Sequence, residues 1–382
     1  MNPNEKRIKK EKGVMMLISL LVGGMVGGGL ALLCLQGEDL LQDYLYLVYG
    51  LLVFYLFYLF QLIVHEAGHL VFGLAAGYRF GSFRIFNLTL MKQDGKLHFG
   101  SYRLAGTAGQ CLMRPPERPL GKGGVLLYNL GGVILNLLTL PLFSILLAAA
   151  LLFDLPFFLS VIPLAAVLAG LMTALLNGIP LSTGMVDNDG RNAYAATRSD
   201  QTLRAFDLQL KVTDGLLSGK RLKDLPDEWF VMPVDEELKN SMRATEGVLV
   251  SNRLMDLQDF EEAKRVIEHL LAVDSGIIGL HRLLLKMDLL YIELIGEGNA
   301  ERIEALYTKE LKKSFAAMKS SISVQRVGYA YALLYKKDEA EAQGWLALFE
   351  KTAKSYPYPK EAESERELIV LAGKRAEQSG QS

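Results

Sequence analysis

The chain has 382 residues, 51% of them hydrophobic, and its 41 Lys+Arg against 42 Asp+Glu leave a net charge of −1. That length accommodates two or three domains, and the charge balance offers no basic surplus for a nucleic-acid partner. Only two cysteines, Cys34 and Cys111, occur in unlike surroundings, so neither a disulfide framework nor a cysteine-built metal site can form.

The average conceals two halves. Residues 1–190 are mostly apolar and carry 13 Lys+Arg and 11 Asp+Glu, while residues 191–382 hold the other 28 and 31, a density normal for a soluble domain. In chain order, four apolar stretches, at about 14–35, 44–75, 124–153 and 155–180, are long enough to cross roughly 30 Å of hydrocarbon. The first has no small-x-small cleavage site, and Leu33 before Cys34 is too large for a lipoprotein signal, so it reads as a retained membrane helix. Its Gly23/Gly27 and Gly24/Gly28 pairs suit close helix packing. The second and third stretches exceed one simple span and are expected to tilt, break or run past the interface. Pro156 and Pro163 mark the start and an early kink of the fourth.

Between the second and third stretches, residues 78–90 and 96–104 are β-prone, separated by the hairpin signal Lys92-Gln93-Asp94-Gly95. Such a hairpin could offer an edge to an extended substrate or be a plain surface hairpin. Residues 106–119, with Pro115, Pro116 and Pro119, read as loop, with Cys111 in it.

Every Lys and Arg of the first half falls in 6–12 or 77–122, whereas the connections at 36–43 and around 154 carry only Glu38, Asp39, Asp43 and Asp154. The positive-inside rule then predicts four spans with both termini, the 77–122 segment and the second half in the cytoplasm. On that topology the second and fourth spans both descend towards the cytoplasmic face. Two polar clusters over 100 residues apart, His65-Glu66-Ala67-Gly68-His69 and Asn177 to Gly190, reach the same depth.

On a helix, His65 and His69 share one face a turn apart and can bind one zinc ion, with Glu66 beside it to take a proton from an activated water. Ionisable groups in hydrocarbon cost several kcal/mol, roughly 2.5–3.5 on insertion scales, so three together call for a function. The bland alternative is a buried helix with two incidental histidines. A third ligand is needed; Asp189 before Gly190 is the candidate, Asp187 its rival, and His98 a third option without a spacing argument. Asn188-Asp189-Gly190 could equally be a turn that closes the helix.

His65-Glu66-x-x-His69 in one span, with Asn177-x-x-Pro180 and Asp189-Gly190 at the end of another, resembles the site-2 protease family of intramembrane zinc metalloproteases. Gly131-Gly132-Val133-Ile134-Leu135-Asn136 is similar to that family's glycine-and-asparagine motif on an intervening helix, so the resemblance covers about residues 44–190. It implies a membrane helix bundle and one Zn2+ held by His65, His69 and Asp189. It further implies Glu66 as the base, Asn177 as a substrate-binding residue, and a membrane-spanning protein or peptide as substrate. The sequence departs from many members in its eight residues between Pro180 and Asp189.

From about residue 200 the pattern is helical. Residues 254–273 form the clearest element, in which Asp259-Phe260-Glu261-Glu262-Ala263 resembles a helix start in tetratricopeptide-type repeats. Residues 329–353 repeat the idea at Asp338-Glu339-Ala340-Glu341-Ala342, and 377–382 read as frayed. No 34-residue period emerges, so the expectation is a degenerate α-solenoid that binds a cytoplasmic protein or peptide, or that only stabilises the enzyme.

The expected protein is therefore mainly α. A polytopic membrane bundle with a small β-hairpin segment occupies residues 1–190, and a tetratricopeptide-like helical domain occupies 191–382, in a bacterial cytoplasmic membrane. The competing class is a membrane-anchored helical-repeat scaffold or receptor with a vestigial zinc site.

Overall fold

The computed structural model describes residues 3–34, 39–93, 95–101, 107–182 and 184–380. The Asp94 corner of the predicted hairpin, the end of the predicted strand 96–104, and Thr183 lie outside the described residues. The protein is mainly helical and has two compact units, Met1–Phe80 with Gly109–Arg198, and Gly81–Ala108 with Ser199–Ser382.

The first unit contains α1 (Pro3–Cys34), α2 (Leu40–Ala76), α3 (Lys122–Asn129), α4 (Gly131–Leu152), α5 (Phe157–Gly178) and α6 (Asp189–Ala196). Among the described residues, α2, α4 and α5 are long and apolar enough to cross a membrane, with 37, 22 and 22 residues and mean hydropathies of 2.2, 2.3 and 2.3. At 1.5 Å per residue, a 22-residue helix measures about 33 Å, close to the hydrocarbon thickness. The apolar part of α1, Met16–Ala31, is shorter.

These helices face outwards with Leu52, Leu56 and Ile63 of α2 and Leu138, Leu142 and Ile145 of α4, all exposed. Inwards they use small residues: Ala165, Ala166 and Ala169 of α5 are fully buried against the neighbouring helices. Apolar outside and small inside is the arrangement expected where lipid is the solvent and helices associate by close packing. α2 opens with the Asp39 side chain accepting from Leu41 N (2.9 Å) and ends at Gly77, whose φ of +103° suits only glycine. The long third apolar stretch does break, at Leu130, between α3 and α4. Pro156 caps α5 and Pro163 lies within it.

The segment before α3 differs from its predicted pattern. Residues 78–90 are not one strand: β1 (Arg79–Ile85) reverses at Phe86–Asn87 into β2 (Leu88–Gln93), which pairs antiparallel with β1 from Ser82↔Met91 to Ile85↔Leu88. Phe86 takes a left-handed φ of +54°, held by its N–H to Ala108 O (2.7 Å) and by Arg84 Nη1 donating to its carbonyl (2.7 Å). A phenylalanine carries no turn signal, so tertiary contacts decide here. β3 (Lys96–Ser101) pairs with β2, and residues 106–119 hold a strand, β4 (Gly109–Arg114), where a loop is expected. The sheet order is β3-β2-β1-β4, β1 beginning in the first unit, to which β4 belongs.

The second unit continues with α7 (Asp200–Leu217), α8 (Ser241–Leu257), α9 (Phe260–Ala272), α10 (Gly279–Ile295), α11 (Ala300–Leu306), α12 (Lys309–Ala317), α13 (Ile322–Ala330), α14 (Glu339–Ala353) and α15 (Pro359–Gly380). α10 lies at its centre, with Leu285, Leu290 and Tyr291 fully buried beside Ile267 and Leu270 of α9 and Val324 and Val327 of α13. β2 and β3, which belong to this unit, are tied to it by Gln93 Nε2 donating to Pro357 O (2.9 Å) and Ser355 Oγ donating to Ser101 O (3.4 Å).

Neither long helix predicted here is continuous. Residues 254–273 divide at Gln258 (φ +60°), and 329–353 at Lys337 (φ +56°), after a π-turn over Tyr331–Lys336. In both, the next residue caps the following helix: Asp259 accepts from Glu262 N (3.2 Å) and Asp338 from Glu341 N (2.9 Å). Ala263 and Ala342, each four residues after its cap, are buried at the close approach of the helix pairs α8/α9 and α13/α14. The cap, not the apolar period, set the true boundary. α15 is regular through Gly380, so the residues from 377 to that point are helical rather than frayed.

Candidate metal centre

Among the polar side chains buried in the first unit, Gln61, His65, Glu66 and His69 on α2 and Asn136 on α4 form one cluster. Buried polar groups must be partnered, and the partnering here has a direction. Asn136 Nδ2 donates to Gln61 O (3.0 Å) and Gln61 Oε1 (2.7 Å), which turns Asn136 Oδ1 towards His65 Nδ1 at 2.7 Å. An amide oxygen only accepts, so His65 Nδ1 carries the hydrogen. His69 Nδ1 faces the Tyr128 carbonyl at 2.8 Å and must likewise donate. The helix break at Leu130 leaves that carbonyl turned towards α2.

With both Nδ1 atoms protonated, each neutral ring offers a bare lone pair at Nε2. The two Nε2 atoms lie 3.3 Å apart, and Asp189 Oδ2 lies 2.7 Å from that of His65 and 3.3 Å from that of His69. Three electron-pair donors thus converge on one point, with no hydrogen of their own to place between them. Such a cluster is stable around a cation.

The donor set tests well against zinc. Bonds of about 2.0–2.2 Å in tetrahedral geometry put ligand atoms about 3.3–3.6 Å apart. Two of the three separations match, and the third, between His65 Nε2 and Asp189 Oδ2, is shorter at 2.7 Å. The His65–Asn136 and His69–Tyr128 bonds are the outer partners that fix tautomer and ring orientation in histidine metal sites. Among the described residues, His65, His69 and Asp189 form the one group of three such side chains able to share an ion.

Asp189 is the first residue of α6, and its neighbour holds it there. Asn188 Oδ1 accepts from Arg191 N (2.9 Å) and Leu181 N (3.0 Å), while its Nδ2 donates to Leu176 O and Ile179 O (2.6 Å each). This one amide therefore caps α6 and ties it to the end of α5. The extra residues after Pro180 close back through a Ser182↔Asp187 bridge, with Asn188 N donating to Leu181 O (3.1 Å). Asp187 pairs through its backbone in that bridge, and its carboxylate is not in the ligand group. His98 is exposed on β3. Asn177 Nδ2 donates to Thr173 O within its own helix (2.9 Å).

Glycines set the approach distances. A Cβ on Gly132 would stand 2.6 Å from His65 Cε1, so α4 supplies bare backbone beneath that ring. A Cβ on Gly109 would stand 2.3 Å from Glu66 Oε1, which places the start of β4 against the carboxylate. Cys111, two residues on, is buried in β4 with Sγ 3.8 Å from Met113 Sδ, and burial holds its thiol well above the usual range. It is a packed thiol on a strand rather than a loop residue.

Sequence reasoning missed Gln61, the Tyr128 carbonyl and the clamp at Asn188. Gln61 did carry a signal, a polar residue one turn before His65 on the same helix face. No family model, no curated protein and no solved structure matches this chain.

Proposed function

We propose that the protein is an intramembrane zinc metalloendopeptidase of site-2 protease type. In this reading it cleaves membrane-spanning protein or peptide substrates in a bacterial cytoplasmic membrane. The convergence of His65 Nε2, His69 Nε2 and Asp189 Oδ2, inside a bundle of helices apolar enough for lipid, carries the proposal. The proposed topology is four spans with both termini cytoplasmic, α1 supplying the first.

His65, His69 and Asp189 would hold the ion, which in such sites lowers the pKa of a water towards ~7 and polarises a carbonyl. Glu66 accepts the proton of the attacking water and returns it to the leaving amine. Asn136 and the Tyr128 carbonyl keep both imidazoles in the tautomer that presents Nε2. Asn177, at the end of α5, would help to hold the substrate backbone. Because helical carbonyls are already hydrogen-bonded, the substrate helix unwinds locally before attack.

The pairs α8/α9 and α13/α14, each with an αL residue and a capping Asp at its corner, support a degenerate tetratricopeptide-like domain for a cytoplasmic protein or peptide. That feature also favours a second reading, a membrane-anchored scaffold or receptor whose zinc site is vestigial. The two separate in one reconstitution. In liposomes with membrane-spanning peptides, the protease reading expects cleavage that Glu66→Gln abolishes while zinc content stays at wild-type level. Equal cleavage by Glu66→Gln removes the proposed mechanism, and absence of cleavage of any membrane substrate leaves the scaffold.

A further inference from the structure

The second unit has a partly open cavity of about 140 Å³ between α8, α10, α13 and α15, far above the ~10–15 Å³ that admits one water. Its lining includes Asn252, Asp256, Asp288, Arg326, Glu361 and Glu365. The catalytic reading uses none of them.

Most of these charges are matched. Arg221 is held by Asp256 and Glu367, with Nε 2.9 Å from Asp256 Oδ1 and Nη1 2.6 Å from Glu367 Oε1. Asp256 also accepts from Lys223 N (3.0 Å) and from Ser364 Oγ. Two features are not matched. Arg326, only 1% exposed, directs Nη2 to Asp288 and has Nε 2.8 Å from Glu365 Oε2 over the Tyr291 ring, but its Nη1 has no hydrogen-bond partner. The second is a surplus of acid. Lys360 is turned to Glu363, 2.8 Å away, and Arg326 alone faces both Asp288 and Glu365. Among the described residues no cation answers Glu361, whose carboxyl has only the Tyr356 side chain as a hydrogen-bond partner.

We propose that this cavity binds an α-amino group with its neighbouring carbonyl or carboxylate, the ammonium facing Glu361 and Glu365 and the oxygen accepting from Arg326 Nη1. The buried donor of Arg326 and the two carboxyls of α15 line the same cavity and match the two ends of that short unit. Burial supports the same reading, since it pushes Glu361 up to about 8 and Glu365 up to about 7, and an entering cation relieves that penalty. Asn252 lines the same cavity and adds a side-chain amide able to hydrogen-bond the ligand backbone. The shared chemistry belongs to free amino acids and to peptide amino termini.

Isothermal titration of the full-length protein in detergent tests this with three probes: L-alanine, trialanine and N-acetyl-trialanine. Saturable binding of trialanine or L-alanine is expected, weakened at least tenfold in the acetylated peptide, and the stronger of the two free-amine probes names the source. Arg326→Ala risks the fold because two carboxylates lose their cation, so Glu361→Gln is the informative variant. It should weaken the free-amine probe at least tenfold at an unchanged melting temperature. Absence of binding by both free-amine probes, equal binding of the acetylated peptide, or unchanged affinity in Glu361→Gln each overturns the proposal. None of these outcomes depends on zinc, so they stand apart from the protease reading.

Discussion

Gly132→Ala is the smallest change that should weaken the proposed metal centre. The added Cβ would lie 2.6–2.7 Å from three atoms of the His65 ring, whereas ordinary contact begins near 3.4 Å. The ring must retreat by about 0.8 Å, several times the ±0.2 Å tolerance of metal–ligand bonds. It cannot do so while keeping Nδ1 at 2.7 Å from Asn136 Oδ1 and Nε2 at 2.7 Å from Asp189 Oδ2. Disturbing such outer partners typically weakens metal binding 10–100-fold, about 1.4–2.8 kcal/mol. Helix propensity works the other way, since Gly→Ala inside a helix stabilises by roughly 0.5–1 kcal/mol, so a loss cannot be blamed on the helix. Gly123→Ala on α3, with nothing within 4 Å of its new Cβ, is the control. Zinc occupancy measured against buffered free zinc should shift 10–100-fold for Gly132→Ala and not at all for Gly123→Ala. Affinities within twofold of each other would refute the packing argument.

Other expectations separate the parts of the site. Gly109→Ala would drive a Cβ to 2.3 Å from Glu66 Oε1, so it should retain zinc yet cleave membrane peptides at least tenfold more slowly; unchanged turnover would remove Glu66 from the chemistry. Asn188→Ala deletes a cap and the clamp between α5 and α6. A loss of about 1–2 kcal/mol in denaturant titration is expected, with zinc affinity reduced because Asp189 is no longer held. In the second unit, burial pushes His281 down to about 4, from the ordinary 6.5. The unfolded chain therefore binds the extra proton first, and stability should fall as pH drops from 6.5 towards 4, by up to about 3 kcal/mol. Melting curves at pH 7 and pH 5 check this, and His281→Gln should flatten the difference.

What the sequence made legible depends on where each signal lies. The His65–His69 spacing is a helical period and needs only a helix, which the apolar run supplies. Asp189 was accessible because span direction, read from loop charges, brought two termini to one depth. The Tyr128 carbonyl was not accessible, being a backbone atom exposed by a helix break that residue types do not encode. β4 was hidden by flanking prolines, and the Phe86 turn by a residue that ordinarily avoids positive φ. The divided helices at Asp259 and Asp338 carry readable N-caps, but the apolar period running through them masked the boundary.

The central claim is that three side chains from α2 and α6 hold one metal ion. Metal analysis of the purified protein, beside Asp189→Asn and Asp187→Asn, tests it most directly. About one zinc per chain is expected in the wild type and in Asp187→Asn, with little in Asp189→Asn. A wild type without metal, or an Asp189→Asn variant that keeps its full complement, would contradict it.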